Sequence, residues 1–296
     1  MLKVKVTVPA VITGWSAGLD GIALALTLSE TLEFGVRADS KLTITVQGEG
    51  DRPSTLRHPA LRAAVAVFQS QERAPVGLSV TIQSRIPANA GLGDEVALTV
   101  GGLIGANNLL DVPLKRDELI DMACKLTGQA TAPIAAMLGG MVLGGGHDQP
   151  YRRLNSAAIQ AVVISPDVVT YADPLPNLAP IPLADVGQNA VRAALTIEAF
   201  RTGDWNLLAR VLPDTLIEPS RRALIPGADK AIAAAREAGA LCTTIGANNP
   251  TVITFAQVNH KRIEDAMREA FDAAEVRTRA WVVGIDSQGV TVSVTR

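Results

Sequence analysis

Residues 94–110 carry no charge after Glu95, and the turn Gly91-Leu92-Gly93 leads into them. A helix that apolar has no wet face, so it must lie deep in the fold with the rest of the chain wrapped around it. The run before the turn reads as a strand, with Leu78, Val80 and Ile82 alternating with Ser79 and Thr81 until Pro87 closes it. Glycines in such a turn permit positive φ and close backbone approach, and the helix start offers N–H groups without intrahelical partners. Strand, glycine turn and buried helix form a frame able to hold an anion, although most such turns serve only packing.

The 296 residues suit two domains, and 48% hydrophobic against 19% charged residues can bury a sizeable core. Lys and Arg number 27 against 29 Asp and Glu, a net charge of -2 that lacks the footprint of a nucleic-acid binder. Aromatics at 3% leave no stacking platform for bases. Two cysteines, Cys124 and Cys242, make neither a disulfide framework nor a four-cysteine zinc site. Leu2, Val4, Val6 and Val8 alternate as in a strand, unlike the continuous apolar core of a signal peptide. The least charged stretch, residues 126–146, holds Gln129, Pro133 and several glycines and reads poorly as a membrane helix. We expect a cytoplasmic protein acting on a small-molecule substrate, with no nucleic-acid or membrane partner. A homodimer is compatible with this composition.

Residues 42–46 form another alternating run, and residues 58–71 and 117–126 read as helices. The glycines at 144–146 followed by Gln149-Pro150 mark the domain joint, giving lobes over residues 1–150 and 151–296. In the second lobe, residues 161–164 and 251–257 read as strands and 185–200, 205–212 and 228–238 as helices. A further helix from Lys261 sets Ile263, Ala266, Met267, Ala270 and Phe271 on one stripe. Residues 281–285 and 290–294 read as a terminal pair around Ser287-Gln288-Gly289. The mixture lacks a strict βαβ rhythm, so the fold class is α+β.

Residues 86–93, Ile-Pro-Ala-Asn-Ala-Gly-Leu-Gly, resemble the phosphate loop PxxxGLGSSAA of the GHMP small-molecule kinases, and of the homoserine kinases in particular. Val8-Pro9-Ala10 with Gly18-Leu19-Asp20 resembles that family's opening VPATSANLGPGFD. Leu138-Gly139-Gly140 resembles the end of its HPDN…LLGG segment. Ile217-Glu218-Pro219-Ser220-Arg221 with Leu224-Ile225-Pro226-Gly227 resembles IHEPYR…LIPG, and residues 246–251 resemble SGAGPT with one extra residue. The resemblance implies the two-lobed GHMP kinase fold, a ribosomal S5-like first lobe and an α/β sandwich second lobe, with a cleft between them. It also implies that Asp20 meets a substrate amine and Arg221 a substrate carboxylate.

The departures fall where the chemistry would be. The two loop serines of the family are Asp94 and Glu95 here; its metal-binding Glu, aligned on residues 138–140, is Thr127, and the following Asp and Asn are Thr131 and Ala132. The opening Asn is Gly14, and an Arg of the carboxylate clamp is Ala172. Two unit charges 4 Å apart interact by about 4 kcal/mol at an effective dielectric of 20, so carboxylates at the loop should repel a triphosphate. The same acids sit well at a helix N-terminus, by capping and dipole. We therefore expect a degenerate phosphate loop at Gly91, Leu92 and Gly93. Kinase chemistry is expected to be lost, with Asp94 and Glu95 as acid/base groups for another reaction and Asp20 and Arg221 binding a small polar acid or amino acid. No cofactor and no protein-held metal are expected on that reading. The alternatives are an active kinase of homoserine or a similar alcohol using ATP and magnesium, with Asp94 or Glu95 as replacement metal ligand, and a non-catalytic metabolite-binding or partner protein. His147-Asp148 reads as a loop turn, both cysteines as core, and Gly246, Asn248 and Asn249 as the turn of the third motif.

Overall fold

The computed structural model describes residues 2–48, 55, 57–144, 149–168, 180–246 and 250–295. Along the chain run β1 (Lys3–Thr13), a 3-10 turn at Leu19–Gly21, β2 (Ile22–Arg37), β3 (Leu42–Gly48), α1 (Pro59–Ser70), β4 (Gly77–Ser84) and α2 (Asp94–Asn107). There follow α3 (Arg116–Thr127), α4 (Ala132–Leu138), β5 (Met141–Gly144), β6 (Tyr151–Leu154), β7 (Gln160–Pro166), α5 (Leu183–Thr202) and α6 (Trp205–Val211). The remainder is α7 (Glu218–Ala223), α8 (Ala228–Glu237), β8 (Cys242–Ile245), β9 (Val252–Ala256), α9 (His260–Asp272), β10 (Thr278–Gly284) and β11 (Thr291–Thr295). The fold class is α+β, as the sequence implies.

Two compact units share the chain, and neither is continuous. One comprises Met1–Val11, Leu24–Arg153 and Asp286–Arg296; the other comprises Ile12–Ala23 and Leu154–Ile285. A single cut near residue 150 lies close to the Arg153 and Leu154 changeover but omits two exchanged segments.

In the first unit the sheet order is β11-β1-β2-β4-β3, with β5 paired to β2 and β6 to β5. The β1 alternation is literal: Val4, Val6 and Val8 are buried while Lys3 and Lys5 are exposed. Strand β2 escapes a periodicity reading because Ile22 through Leu26 are all buried, leaving no polar alternate to mark it. Against the sheet lies α2, buried along almost its whole length. Gly102 is what lets α1 approach, since a Cβ there would run into the Ala60 carbonyl. Each Val or Leu so enclosed contributes about 1.5–3 kcal/mol.

The second unit holds an antiparallel sheet in the order β10-β7-β9-β8. Helices α8 and α9 cover it through Ala231, Ala235, Ile263, Met267 and Phe271, packed on Val162 and Ile164. Trp15 from the Ile12–Ala23 segment stands 5.5 Å from Phe200 and 5.8 Å from Phe255, ring centre to ring centre. The terminal strands do not form the expected pair. Strand β10 joins β7, whereas β11 sets Val294 opposite Val4 and Val292 opposite Val6 on β1. The β11–β1 pairing thus joins segments at the two ends of the sequence rather than neighbours along it. Among the described residues no helix is long and apolar enough to cross a membrane.

Candidate functional site

In the first unit the loop between β4 and α2 is shaped by backbone sign. Asn89, Gly91 and Gly93 have φ of 59°, 69° and 70°. Gly93 is irreplaceable on space as well as angle, because a Cβ there would come within 2.9 Å of the Val11 carbonyl oxygen. The Val11 N–H donates to the Leu92 carbonyl at 3.0 Å and ties the loop to β1. Asp94 and Glu95 form the first turn of α2, where the helix dipole favours negative charge. Their surroundings differ. Asp94 is 9% exposed and lines a small pocket with His58, Ser84 and Ile86, while Glu95 is exposed.

Beneath the loop lies Glu30, fully buried on β2. Its Oε1 accepts from Ser84 Oγ and from the Ile86 N–H, each at 3.0 Å. Its Oε2 has no hydrogen-bond partner among the described residues. Burial pushes its pKa up to about 7, against which the hydrogen bonds pull downward, and the Asp94 charge adds to the rise. Glu30 has no signature in the sequence beyond falling in phase with Leu32 and Phe34 on a buried strand face.

In the second unit the Ile12–Ala23 segment is held by its carbonyls. Arg221 Nη1 donates to Gly14 O at 2.9 Å, Thr244 Oγ1 lies 2.6 Å from Trp15 O, and Asn189 Nδ2 donates to Ala17 O at 3.3 Å. Arg221 is 8% exposed, its Nε has no hydrogen-bond partner among the described residues, and no described carboxylate stands within ion-pair distance. Burial lowers its pKa, while the charges of Asp214, Asp20 and Glu218 push the other way. Asp20 is exposed in the 3-10 turn. The unit thus brings Asp20 and Arg221 into one electrostatic neighbourhood, with a guanidinium poised for one more acceptor.

Glu218 and Asp214 support this arrangement. Asp214 Oδ2 accepts the N–H groups of Ile217 and Glu218 at 3.0 and 3.2 Å and starts α7. Glu218 lies 2.7 Å from Thr244 Oγ1, and burial lifts its pKa to about 7. Asn189, Asp214 and Thr244 have no sequence signature beyond polarity inside apolar runs. Glu218 is marked in the sequence only by the Ile217–Arg221 resemblance.

Other expected positions serve structure. The Thr127 hydroxyl donates to Ala123 O at 2.8 Å, a bond within α3. Leu138-Gly139-Gly140 is a joint in the first unit: the Gly140 N–H donates to Asp286 O at 2.6 Å, and Arg153 Nε donates to Leu138 O at 2.8 Å. The Gly246 N–H donates to Thr251 O at 2.9 Å just beyond β8. Asn248, Asn249, His147, Asp148 and Ala172 lie outside the described residues. Cys242 is buried, but Cys124 is only half-buried on α3, so the expectation of two core cysteines holds for one. Both thiols are pushed up by burial, to about 11 for Cys124 and about 12 for Cys242, and are poor nucleophiles.

Among the described residues no three His, Cys, Asp or Glu side chains gather to cage a metal. Magnesium does not require that, since it is usually held by one or two carboxylates together with substrate phosphates. Exposed Glu95, at the helix start beside the glycine turn, is a donor of that kind.

The family description "GHMP kinases N terminal domain" matches residues 59–140, and "GHMP kinases C terminal" matches residues 196–273. A homoserine kinase of Moorella thermoacetica is 35% identical over 271 residues, spanning 90% of this chain and 92% of that protein. One from Halothermothrix orenii is 28% identical across 96% of this chain and 94% of its own length. The crystal structure of homoserine kinase from Cytophaga hutchinsonii shares the fold with a TM-score of 0.86 at 24% identity, covering 98% and 97% of the two chains. These relatives overturn the expectation that kinase chemistry has been lost to another acid/base reaction. The expectation treated Asp94 and Glu95 as one repulsive pair at the phosphate site. The structure separates them, Asp94 buried and Glu95 exposed, on a loop with positive φ at Asn89, Gly91 and Gly93. The chain belongs to the GHMP kinase superfamily and is homoserine kinase-like within it.

Proposed function

We propose that the protein is an ATP-dependent kinase that phosphorylates the side-chain hydroxyl of homoserine. The observation that carries this reading is Arg221: a buried guanidinium, held by one carbonyl, with Nε lacking a partner among the described residues. A buried guanidinium N–H without an acceptor is costly, and an incoming carboxylate would remove that cost. Asp20, whose charge acts on Arg221, supplies the anion for the ammonium of the same amino acid. The names of the relatives point to the same substrate.

The hydroxyl oxygen of homoserine attacks the γ-phosphorus, the bond from that phosphorus to the bridging oxygen breaks, and ADP leaves while the hydroxyl proton passes to water. Such transfer needs positioning and charge stabilisation more than covalent help from the protein. Magnesium, when bound, neutralises the phosphate oxygens, and Glu95 is the residue that would hold it. The N–H groups of residues 91–95 would cradle the phosphates, and the φ values of Gly91 and Gly93 set their direction. Asp94, turned inward, stabilises the start of α2 through the dipole. Thr131 and Ala132 supply no carboxylate base, which this chemistry tolerates.

Phosphorus NMR of the protein with homoserine and Mg-ATP tests the proposal. A new phosphomonoester resonance growing with ADP is the expected result. ATP left intact in the presence of homoserine would refute it.

A further inference from the structure

The loop that carries Asp20 is closed on itself. The Gly14 N–H donates to Leu19 O at 3.2 Å, the Leu19 N–H to Ser16 O at 3.0 Å and the Gly21 N–H to Gly18 O at 3.0 Å. Its outward anchors are the Gly14, Trp15 and Ala17 carbonyls, and Trp15 has the shortest bond, 2.6 Å to Thr244 Oγ1. The same hydroxyl stands 2.7 Å from Glu218 Oε2. Trp15 and Thr244 are fully buried and Glu218 is 5% exposed, so bulk water does not replace a missing partner. A hydroxyl has one hydrogen to give. A carbonyl and a carboxylate cannot both receive it. A carbonyl and a protonated carboxyl can both be served, because the acid O–H donates to Thr244 while Thr244 donates to Trp15 O.

We propose that Glu218 and Thr244 are positioning residues for homoserine: the neutral Glu218 carboxyl lets Thr244 hold the Trp15 carbonyl, and its ionisation loosens the loop that presents Asp20. The effect on homoserine rests on the kinase reading, in which Asp20 meets the substrate ammonium; the anchor itself does not. The surroundings of Glu218 suit a proton that comes and goes near neutral pH. Burial raises its pKa to about 7, Asp214 adds to the rise, and Arg222 and the Ile245 N–H oppose it. Arg221 on the same helix feels the Glu218 charge, and Arg236 of α8 borders the same cavity. Cys242 on β8 also feels it, but its thiol, pushed up to about 12, stays neutral. Ionised Glu218 also weakens the pull of Arg221 on a substrate carboxylate, and removing the Thr244 hydroxyl separates that field effect from the anchor.

The test compares the full chain with Glu218→Gln, Thr244→Val and Thr244→Ser at about pH 6 and about pH 8. Hydrogen exchange over residues 12–23 reads the anchor without any ligand. Between the two pH values, protection should fall about three- to tenfold further in the parent than in Glu218→Gln, whose amide donates to Thr244 at either pH. Kinetics with homoserine and Mg-ATP read the consequence. Taken relative to Glu218→Gln, which shares the titration of substrate and nucleotide, the parent KM for homoserine should rise about three- to tenfold while the kcat ratio stays level. Thr244→Val should carry the higher KM at both pH values, and Thr244→Ser should restore the parent profile. Exchange that follows pH equally in parent and Glu218→Gln would overturn the anchor. A parent profile kept in Thr244→Val would assign the effect to the field on Arg221 and overturn it too. Altered exchange with a level KM ratio would overturn the role in homoserine binding. No turnover of homoserine by the parent would remove the kinase assignment, and the exchange comparison would then decide the anchor alone.

Discussion

The two units handle buried charge in opposite ways. Under the glycine loop of the first, negative groups accumulate: Glu30 is buried with one oxygen lacking a partner among the described residues, and Asp94 adds its own field. In the second, a buried cation is the centre, and Asp214, Asp20 and Glu218 all act on Arg221. The first environment favours protonation of its carboxyl, and the second keeps a guanidinium charged and short of one acceptor. A loop that binds phosphate through backbone N–H groups can accept acidic side chains turned away from the anion. A site for an amino-acid carboxylate cannot do without its cation. The comparison teaches that side-chain chemistry decides the second region and backbone shape the first.

The largest expected effect breaks the second half of that contrast. Arg221→Lys keeps the charge but loses the planar fork, and should lower kcat/KM for homoserine about a hundredfold to a thousandfold while leaving the KM for ATP unchanged. Steady-state kinetics in both substrates check it, and an equal loss in both would erase the distinction.

The two glutamates come next. Glu30 and Glu218 both have folded-state pKa values near 7, above the ordinary 4.5, so each takes up protons on folding. The stability they supply is fully present below pH 4.5 and is lost as pH rises through about 7, at most about 3 kcal/mol each. Glu30→Gln and Glu218→Gln should each flatten the dependence of Tm on pH across that window, and the double change should nearly abolish it. Melting curves at several pH values measure this, and an unchanged slope in Glu30→Gln would show that the first unit does not store its charge there.

Gly93→Ala imposes a left-handed angle and a close approach to Val11 O, at a cost of about 1–2 kcal/mol or more. It should lower Tm by a few degrees and weaken Mg-ATP binding in calorimetry while homoserine binding stays intact. Smallest is Glu95→Gln: the KM for Mg-ATP should change by only a few-fold, and less at high salt, because the side chain is exposed.

Much of the architecture is legible in the sequence because burial writes a period. The stripe from Ile263 to Phe271 and the alternation of β1 appear in the structure as read. Strand β2 is not legible because its first residues are buried on both faces, and the β11 pairing is not because register with β1 is a long-range choice. In the site, the glycine turn and Arg221 are visible as residue types in a pattern. The separation of Asp94 from Glu95 is not, since neighbours at a helix start share a sequence position but face different directions. Glu30, Asn189 and Thr244 gain meaning only from what lies across the sheet or loop from them.

The most direct test of the account is the initial rate of ADP release by the purified chain with Mg-ATP, measured as homoserine is added. We expect a rate that is negligible without homoserine, saturates as homoserine rises, and vanishes when magnesium is chelated. ADP release indifferent to homoserine, or none at any concentration, would contradict it.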